Sequence, residues 1–135
     1  MLRLWIETIS PIPVRSEQAG DWTYDKLRGR LSAISAELGD RRSEFAILIH
    51  EIVEAWLCME SGVSDEDVVK FDETYEDERK SGHHKEEDEP GDDPRSPYRQ
   101  QHMAATHVER AVCLALGITW KGHDEVVLRS GDHQP

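Results

Sequence analysis

Leu2, Leu4 and Ile6 alternate with Arg3, Trp5 and Glu7, the period-two pattern of a half-buried strand, which Pro11 and Pro13 are expected to stop. Between positions 22 and 38 the apolar residues fit two patterns. Leu27, Leu31, Ile34 and Leu38 suit a helix, whereas Arg28-Gly29-Arg30 can turn a hairpin whose second arm alternates at Ile34, Ala36 and Leu38. The hairpin is the favoured reading. Gly39-Asp40 breaks the pattern, Asp40 suits an N-cap, and a helix is predicted from about position 41 to 61, ended by Gly62. Its middle is apolar on nearly every side (Phe45, Ile47, Leu48, Ile49, Ile52, Val53, Trp56, Leu57, Met59), as in a central buried helix. Asp65 is expected to cap a second helix reaching about Lys80, with Val68, Val69, Phe71 and Tyr75 on one side. A last long helix is predicted from Pro97 or Tyr98 to Leu116, with Ala105, Val108, Val112, Ala115 and Leu116 as its buried stripe and Gly117 as its end. Residues 120–128 add a short helix before a polar tail. These elements give an α+β fold: a small N-terminal antiparallel sheet, a central buried helix and a second long C-terminal helix.

At 135 residues the chain is sized for one domain with one core. Residues 81–96 interrupt it. This stretch carries His83, His84, a Lys-Glu-Glu-Asp-Glu run, Pro90 and Pro94, lacks the apolar residues to build a core, and reads as a flexible acidic loop. The formal net charge of -12 repels phosphates, so nucleic acid and anionic membranes are not expected partners, whereas cations are favoured. Cys58 and Cys113 are far apart inside apolar runs, read as buried small residues, and have no disulfide or zinc-knuckle spacing. Neither a secretory leader nor a run of about 18 apolar residues is seen, so a cytoplasmic protein is expected.

The chemistry concentrates at His50-Glu51-Ile52-Val53-Glu54. On a helix His50 and Glu54 stand one turn apart on one face, while Glu51 is rotated about a quarter turn away. An imidazole nitrogen and a carboxylate oxygen are ordinary zinc ligands, and a catalytic zinc needs one more protein ligand with water in the fourth position. Glu51 is placed to take that water's proton as the catalytic base. Burying one unpaired carboxylate costs several kcal/mol, and metal binding would offset that cost. Without a metal, the pattern reads as an i,i+4 contact at the core edge with Glu51 in solvent. On the last helix His102 and Glu109 are two turns apart and border the apolar stripe. His102 is the preferred third ligand over His107, which is rotated to the other side. Glu109 is either a ligand or the acceptor that orients a ligand histidine, and its bland reading is a surface partner of Arg99 or Arg110. A fourth ligand from Glu109, His107, His83 or the Asp92-Asp93 pair would close the site and make the metal structural. Residues 1–135 thus read as one metal-binding domain, with Zn2+ the expected ion and Mg2+ or Mn2+ the alternatives.

These residues carry a resemblance. The HEIVE run resembles the zincin active-site helix, with Glu54 standing where the second histidine is usual. The stretch 42–120 is similar to small bacterial and phage-encoded proteins of unknown function that share an HEIIEA-type helix, here residues 50–55, and a later helix opening with a histidine before apolar residues at helical spacing. His102, Ala105, Val108, Ala111 and Val112 match that helix, and Glu89-Pro90-Gly91-Asp92-Asp93-Pro94 followed by Pro97, Tyr98 and His102 resembles a family signature. The resemblance implies a metallopeptidase-like fold and a phage or host-cytoplasmic setting without assigning a substrate; the substrate stays open, with a peptide as one candidate. Glutamate in place of the second histidine lowers the net charge of the centre and makes its water less acidic, which bears on peptidase activity more than on metal binding.

Two other functions compete. Glu37-Leu38-Gly39-Asp40 with Glu51 and Glu54 resembles the acidic helical motifs of all-α nucleotide pyrophosphohydrolases, which hold magnesium between carboxylates and substrate phosphates, but leaves His50 without a role. Residues 65–93 alternatively suit a non-enzymatic acidic interaction protein that binds a basic partner.

Overall fold

The computed structural model describes residues 3–9 and 19–132. The hairpin forms where Arg28-Gly29 allows the chain to reverse. β2 (Gly20–Asp25) and β3 (Arg30–Ala36) pair antiparallel, with Gly20 opposite Ser35 and Asp25 opposite Arg30. Asp25 locks the turn by accepting from the Arg28 backbone N–H at 3.1 Å and from its guanidinium at 2.9 Å. β1 (Arg3–Ile9) joins the other side of β3 in parallel, giving the order β1-β3-β2. The sheet is therefore mixed rather than antiparallel as expected, because alternation marks a strand but carries no information on the direction of its pairing. Leu4 and Trp5 are both exposed on this edge strand, so the expected burial of Leu4 does not occur. Leu2, the Ile6 side chain, Pro11 and Pro13 lie outside the described residues.

Along β3 the side chains of Leu31, Ala33 and Ser35 are buried, and α1 (Arg41–Ser61) packs against this sheet. The Asp40 carboxylate accepts from Arg42 N–H at 2.9 Å at the start of α1, and Gly62 closes its end in the left-handed conformation at φ 76°. Trp22, Leu31 and Ala33 of the sheet meet Leu48, Ile52, Ala55 and Cys58 of α1 in the core, which Val68 and Tyr98 complete. Burying a side chain such as Leu48 or Ile52 contributes about 1.5–3 kcal/mol. Phe45 and Trp56 are 43% and 41% exposed, so α1 is buried on two faces rather than all round.

α2 (Asp65–Lys80) is capped by Ser64 rather than Asp65. The Ser64 hydroxyl accepts from Asp67 N–H at 3.1 Å, which leaves Asp65 in the first turn, where its charge favours the positive end of the helix dipole. α3 (Arg99–Leu116) packs against α1, and α4 (Trp120–Asp132) runs past its expected end at 128. The largest departure is the buried line of α3. It consists of His102, Ala105, Glu109 and Cys113, whereas Val108 and Ala115 are exposed. The helix is rotated from its apolar stripe because α1 presents His50 and Glu54 to it, and paired charges satisfy each other only when they face.

Between α2 and α3 the acidic stretch read as a flexible loop makes several defined contacts. The Arg79 guanidinium donates to the backbone carbonyls of Lys85, of Glu86 at 3.0 Å and of Asp88 at 2.6 Å. A short 3-10 turn, Pro90–Asp92, then packs on α3 with Pro90 and Gly91 buried.

Candidate metal centre

Ser43, His50 and Glu54 follow one line down α1, seven and four residues apart, and the buried line of α3 runs against it in the opposite direction. Glu54 Oε2 is the meeting point. It lies 3.1 Å from His50 Nε2 and 2.9 Å from His102 Nδ1, and the two imidazoles stand edge to face with centroids 4.8 Å apart. The other Glu54 oxygen accepts from Trp22 Nε1 at 3.0 Å, so β2 also fixes this carboxylate. The three candidate ligand atoms lie within 4.8 Å of one another, and each residue is at most 6% exposed.

Each histidine also turns its outer nitrogen to a carboxylate. His102 Nε2 pairs with Glu89 Oε2 at 2.8 Å, with Asp92 Oδ1 at 3.5 Å. Glu109 Oε1 stands 2.8 Å from His50 Nδ1, within ion-pair range but off the line of a hydrogen bond, so this buried nitrogen has no hydrogen-bond partner. Glu109 Oε2 contacts His123 Nε2 at 2.6 Å, and His123 Nδ1 reaches Ser43 Oγ at 3.0 Å. A continuous chain of groups therefore runs from Ser43 through His123, Glu109, His50, Glu54 and His102 to Glu89. Gly91 makes the last contact feasible, because a Cβ there would lie 2.3 Å from His102 Cγ.

Burial and pairing oppose each other here, and pairing wins. Burial alone would depress the imidazolium of His102, but Glu54 and Glu89 push its pKa up to about 10. His50 is likewise raised well above the usual imidazole range, with Glu109 and Glu54 outweighing desolvation. Burial raises the Glu54 carboxyl, yet His102 and His50 hold it down at about 2, and His123 and His50 lower Glu109 against the same burial. Desolvation raises Asp92 at the rim, only partly offset by His102. In the metal-free state protons thus supply the positive charge that two buried carboxylates require.

A cleft of about 600 Å³ opens over these groups, and His50, Glu51, Glu54, His102 and Glu109 all line it. The structure brings together His50, Glu54 and His102 and sets Glu109 behind His50 rather than on the surface with Arg99 or Arg110. Glu51 is half-buried at the cleft wall, while His107 and His83 are exposed. Trp22, Ser43, Glu89 and His123 were not singled out from the sequence. Ser43 shares the line of His50 two turns away and was recoverable by helical spacing, and Glu89 lies within the acidic signature. His123 is the sole histidine of a short helix, with no spacing signal. No family model matches the chain, and no curated protein or solved structure matches it.

Proposed function

We propose that this chain is a metal-binding protein in which His50, Glu54 and His102 hold a zinc ion, and that the centre is hydrolytic. The observation that carries the reading is Glu54 Oε2 at 3.1 and 2.9 Å from two imidazole nitrogens in a buried site. Ligand atoms around a tetrahedral zinc with bonds of 2.0–2.1 Å are separated by about 3.3 Å, and the two imidazole–carboxylate pairs, at 3.1 and 2.9 Å, come within a few tenths of an ångström of that separation. Two nitrogens and one oxygen suit zinc better than magnesium, which prefers oxygen. Glu89 supports the same reading, since an imidazole bound through one nitrogen directs its other N–H to a carboxylate, and the Glu109 carboxylate stands 2.8 Å from the outer nitrogen of His50.

A bound zinc ion supplies a Lewis acid that polarises a carbonyl and lowers the pKa of a water molecule. The chain's own part is to orient and to move a proton. Glu109 and Glu89 hold the two imidazoles, Trp22 holds the Glu54 carboxylate, and Glu51 at the cleft wall accepts a proton from the attacking water. With Glu109 and Glu89 turned to histidine outer nitrogens, and His107 and His83 exposed, the cleft side of the site is left for water and substrate. A peptide is the proposed substrate and the cytoplasm the proposed location. No helix among the described residues is long and apolar enough to cross a membrane. The three-stranded sheet against α1 and the two histidines in the site weigh against the all-α magnesium pyrophosphohydrolase alternative.

Elemental analysis of protein purified without a metal-affinity tag tests the reading. About one zinc per chain is expected, with His50→Ala losing it, and a parent protein that refuses added zinc overturns the proposal.

A further inference from the structure

One arc of α1 is covered by neither the sheet nor α3. Arg41, Phe45, Ile49, Trp56 and Glu60 fall on it, since at 100° per residue these five positions span only about 100° of the helix. The Phe45 and Trp56 rings are exposed, and Ile49 between them is half-buried. α3 continues this surface. Gln101 Nε2 donates to Ser61 Oγ at 3.0 Å, so the two helices run antiparallel, and Val108 and Val112, on the same side of α3 as Gln101, stand beside the middle of α1. Val108 is exposed and Val112 half-buried, and both belong to the apolar stripe that the fold does not turn inward. Glu51, Thr106 and Arg110, on the opposite flanks of the two helices, line the cleft. Acidic residues occupy 28 of the 135 positions, yet Glu60 alone lies on the arc, and the one acid of α3, Glu109, is turned inward to His50. Depletion of charge of this kind distinguishes the centre of a protein interface from ordinary surface.

Arg41 and Glu60 close the two ends of the arc, and among the described residues neither side chain has a hydrogen bond or an ion pair. They stand about 28 Å apart along the helix, too far to pair within one chain. A two-fold axis crossing α1 midway between positions 50 and 51 brings them together. It lays α1 antiparallel on α1 of a second copy, with Arg41 opposite Glu60, Phe45 opposite Trp56 and Ile49 beside its own symmetry mate, because the charged pair and the aromatic pair are centred on the same point of the sequence. We propose that the chain forms a homodimer through this face. α1 is 21 residues or about 30 Å long, and two packed helices are about 20 Å wide, which gives about 600 Å² per copy. The total of about 1,200 Å² meets the lower end of stable specific interfaces, so the dimer is expected to exchange with monomer. The cleft stays open on the far side of both helices, and the dimer forms with or without a metal.

Sedimentation equilibrium of the intact protein tests it. Between about 1 and about 300 µM the mass should rise from 15.5 kDa towards twice that value. Trp56→Glu sets an acid in the contact and should leave monomer throughout. Arg41→Glu and Glu60→Arg should each weaken the dimer about tenfold, because the two-fold axis duplicates every pair and each swap then opposes like charges twice. The double variant Arg41→Glu/Glu60→Arg should recover the affinity to within about threefold of the parent, a rescue that only pairing between copies can produce. Each swap also places at its end of α1 the sign that the helix dipole favours, so a weaker dimer does not reflect an unravelled helix, and circular dichroism of each variant checks this. Should Trp56→Glu fail to fold, the swaps carry the test. Monomer at every concentration overturns the proposal, as does a dimer that survives a folded Trp56→Glu variant. Single swaps without effect, or losses that the double variant does not recover, overturn it equally.

Discussion

Glu51 and Glu54 differ by three positions and are assigned opposite roles, which substitution can separate. Glu51 is half-buried on the cleft wall, whereas Glu54 is buried and held by Trp22, His50 and His102. Glu51→Gln preserves shape but cannot take a proton, so it is expected to keep a full complement of zinc and lower kcat by at least about 100-fold. A rate within a few-fold of the parent would remove Glu51 from the chemistry. Glu109→Gln tests the group behind His50. Zinc affinity should fall about 10–100-fold, as for other carboxylates that orient ligand histidines, while His107→Ala, on the exposed side of α3, should leave it unchanged in the same titration. If the two variants bind zinc equally, Glu109 has no such role. At this scale much of the site was legible, because the spacing of His50 and Glu54 is a statement about helix geometry. Trp22 and His123 were not, since their contacts with Glu54 and Glu109 join positions 32 and 14 residues apart that only tertiary packing brings together.

Among the elements, α3 shows how a polar pair can outrank an apolar stripe. Periodicity favoured Val108 and Ala115 as its inner side, yet the helix turns His102 and Glu109 inward because α1 already presents a buried histidine and carboxylate. The helix ends were readable, since Asp40 and Gly62 are local devices, as was the hairpin turn at Arg28-Gly29. The parallel pairing of β1 was not, because nothing within seven residues records the direction of a neighbour. The same limit applies to the turn at Pro90–Asp92, which looked like a linker and instead sits on His102. Gly91 permits that approach, so Gly91→Ala is expected to push the His102 ring aside without removing a ligand. Overpacking of this kind costs about 1–3 kcal/mol, and it should appear chiefly as weaker zinc binding by calorimetry, with the circular dichroism of α3 retained. Unchanged affinity would mean that the Pro90–Asp92 turn does not hold His102 in place.

For the whole molecule, protons and the proposed metal would compete for one set of buried charges, and this fixes the sign of the expected pH dependence. His102 titrates near 10 in the fold against a usual 6.5, so its contribution is complete below about 6.5 and is lost as pH rises towards 10. His50 shifts in the same direction. Glu54 titrates near 2 against a usual 4.5, so its contribution is complete above about 4.5 and is lost as pH falls towards 2, with Glu109 following the same sense. The metal-free protein should therefore be most stable between about 4.5 and 6.5 and should weaken in alkali. A zinc ion bound as proposed would reverse the alkaline limb. It would require both histidines neutral, so its uptake would release protons and its apparent affinity would grow with pH. At a free concentration 100 times its dissociation constant it would add about 2.7 kcal/mol to the folded state. The gap in melting temperature between zinc-loaded and chelator-treated protein should widen steadily from about pH 6 to about pH 9, and His102→Ala should abolish that widening. A gap that stays flat across this range would mean that zinc does not displace the protons of His50 and His102, and the buried network would then stand as a set of ion pairs that serves the fold alone.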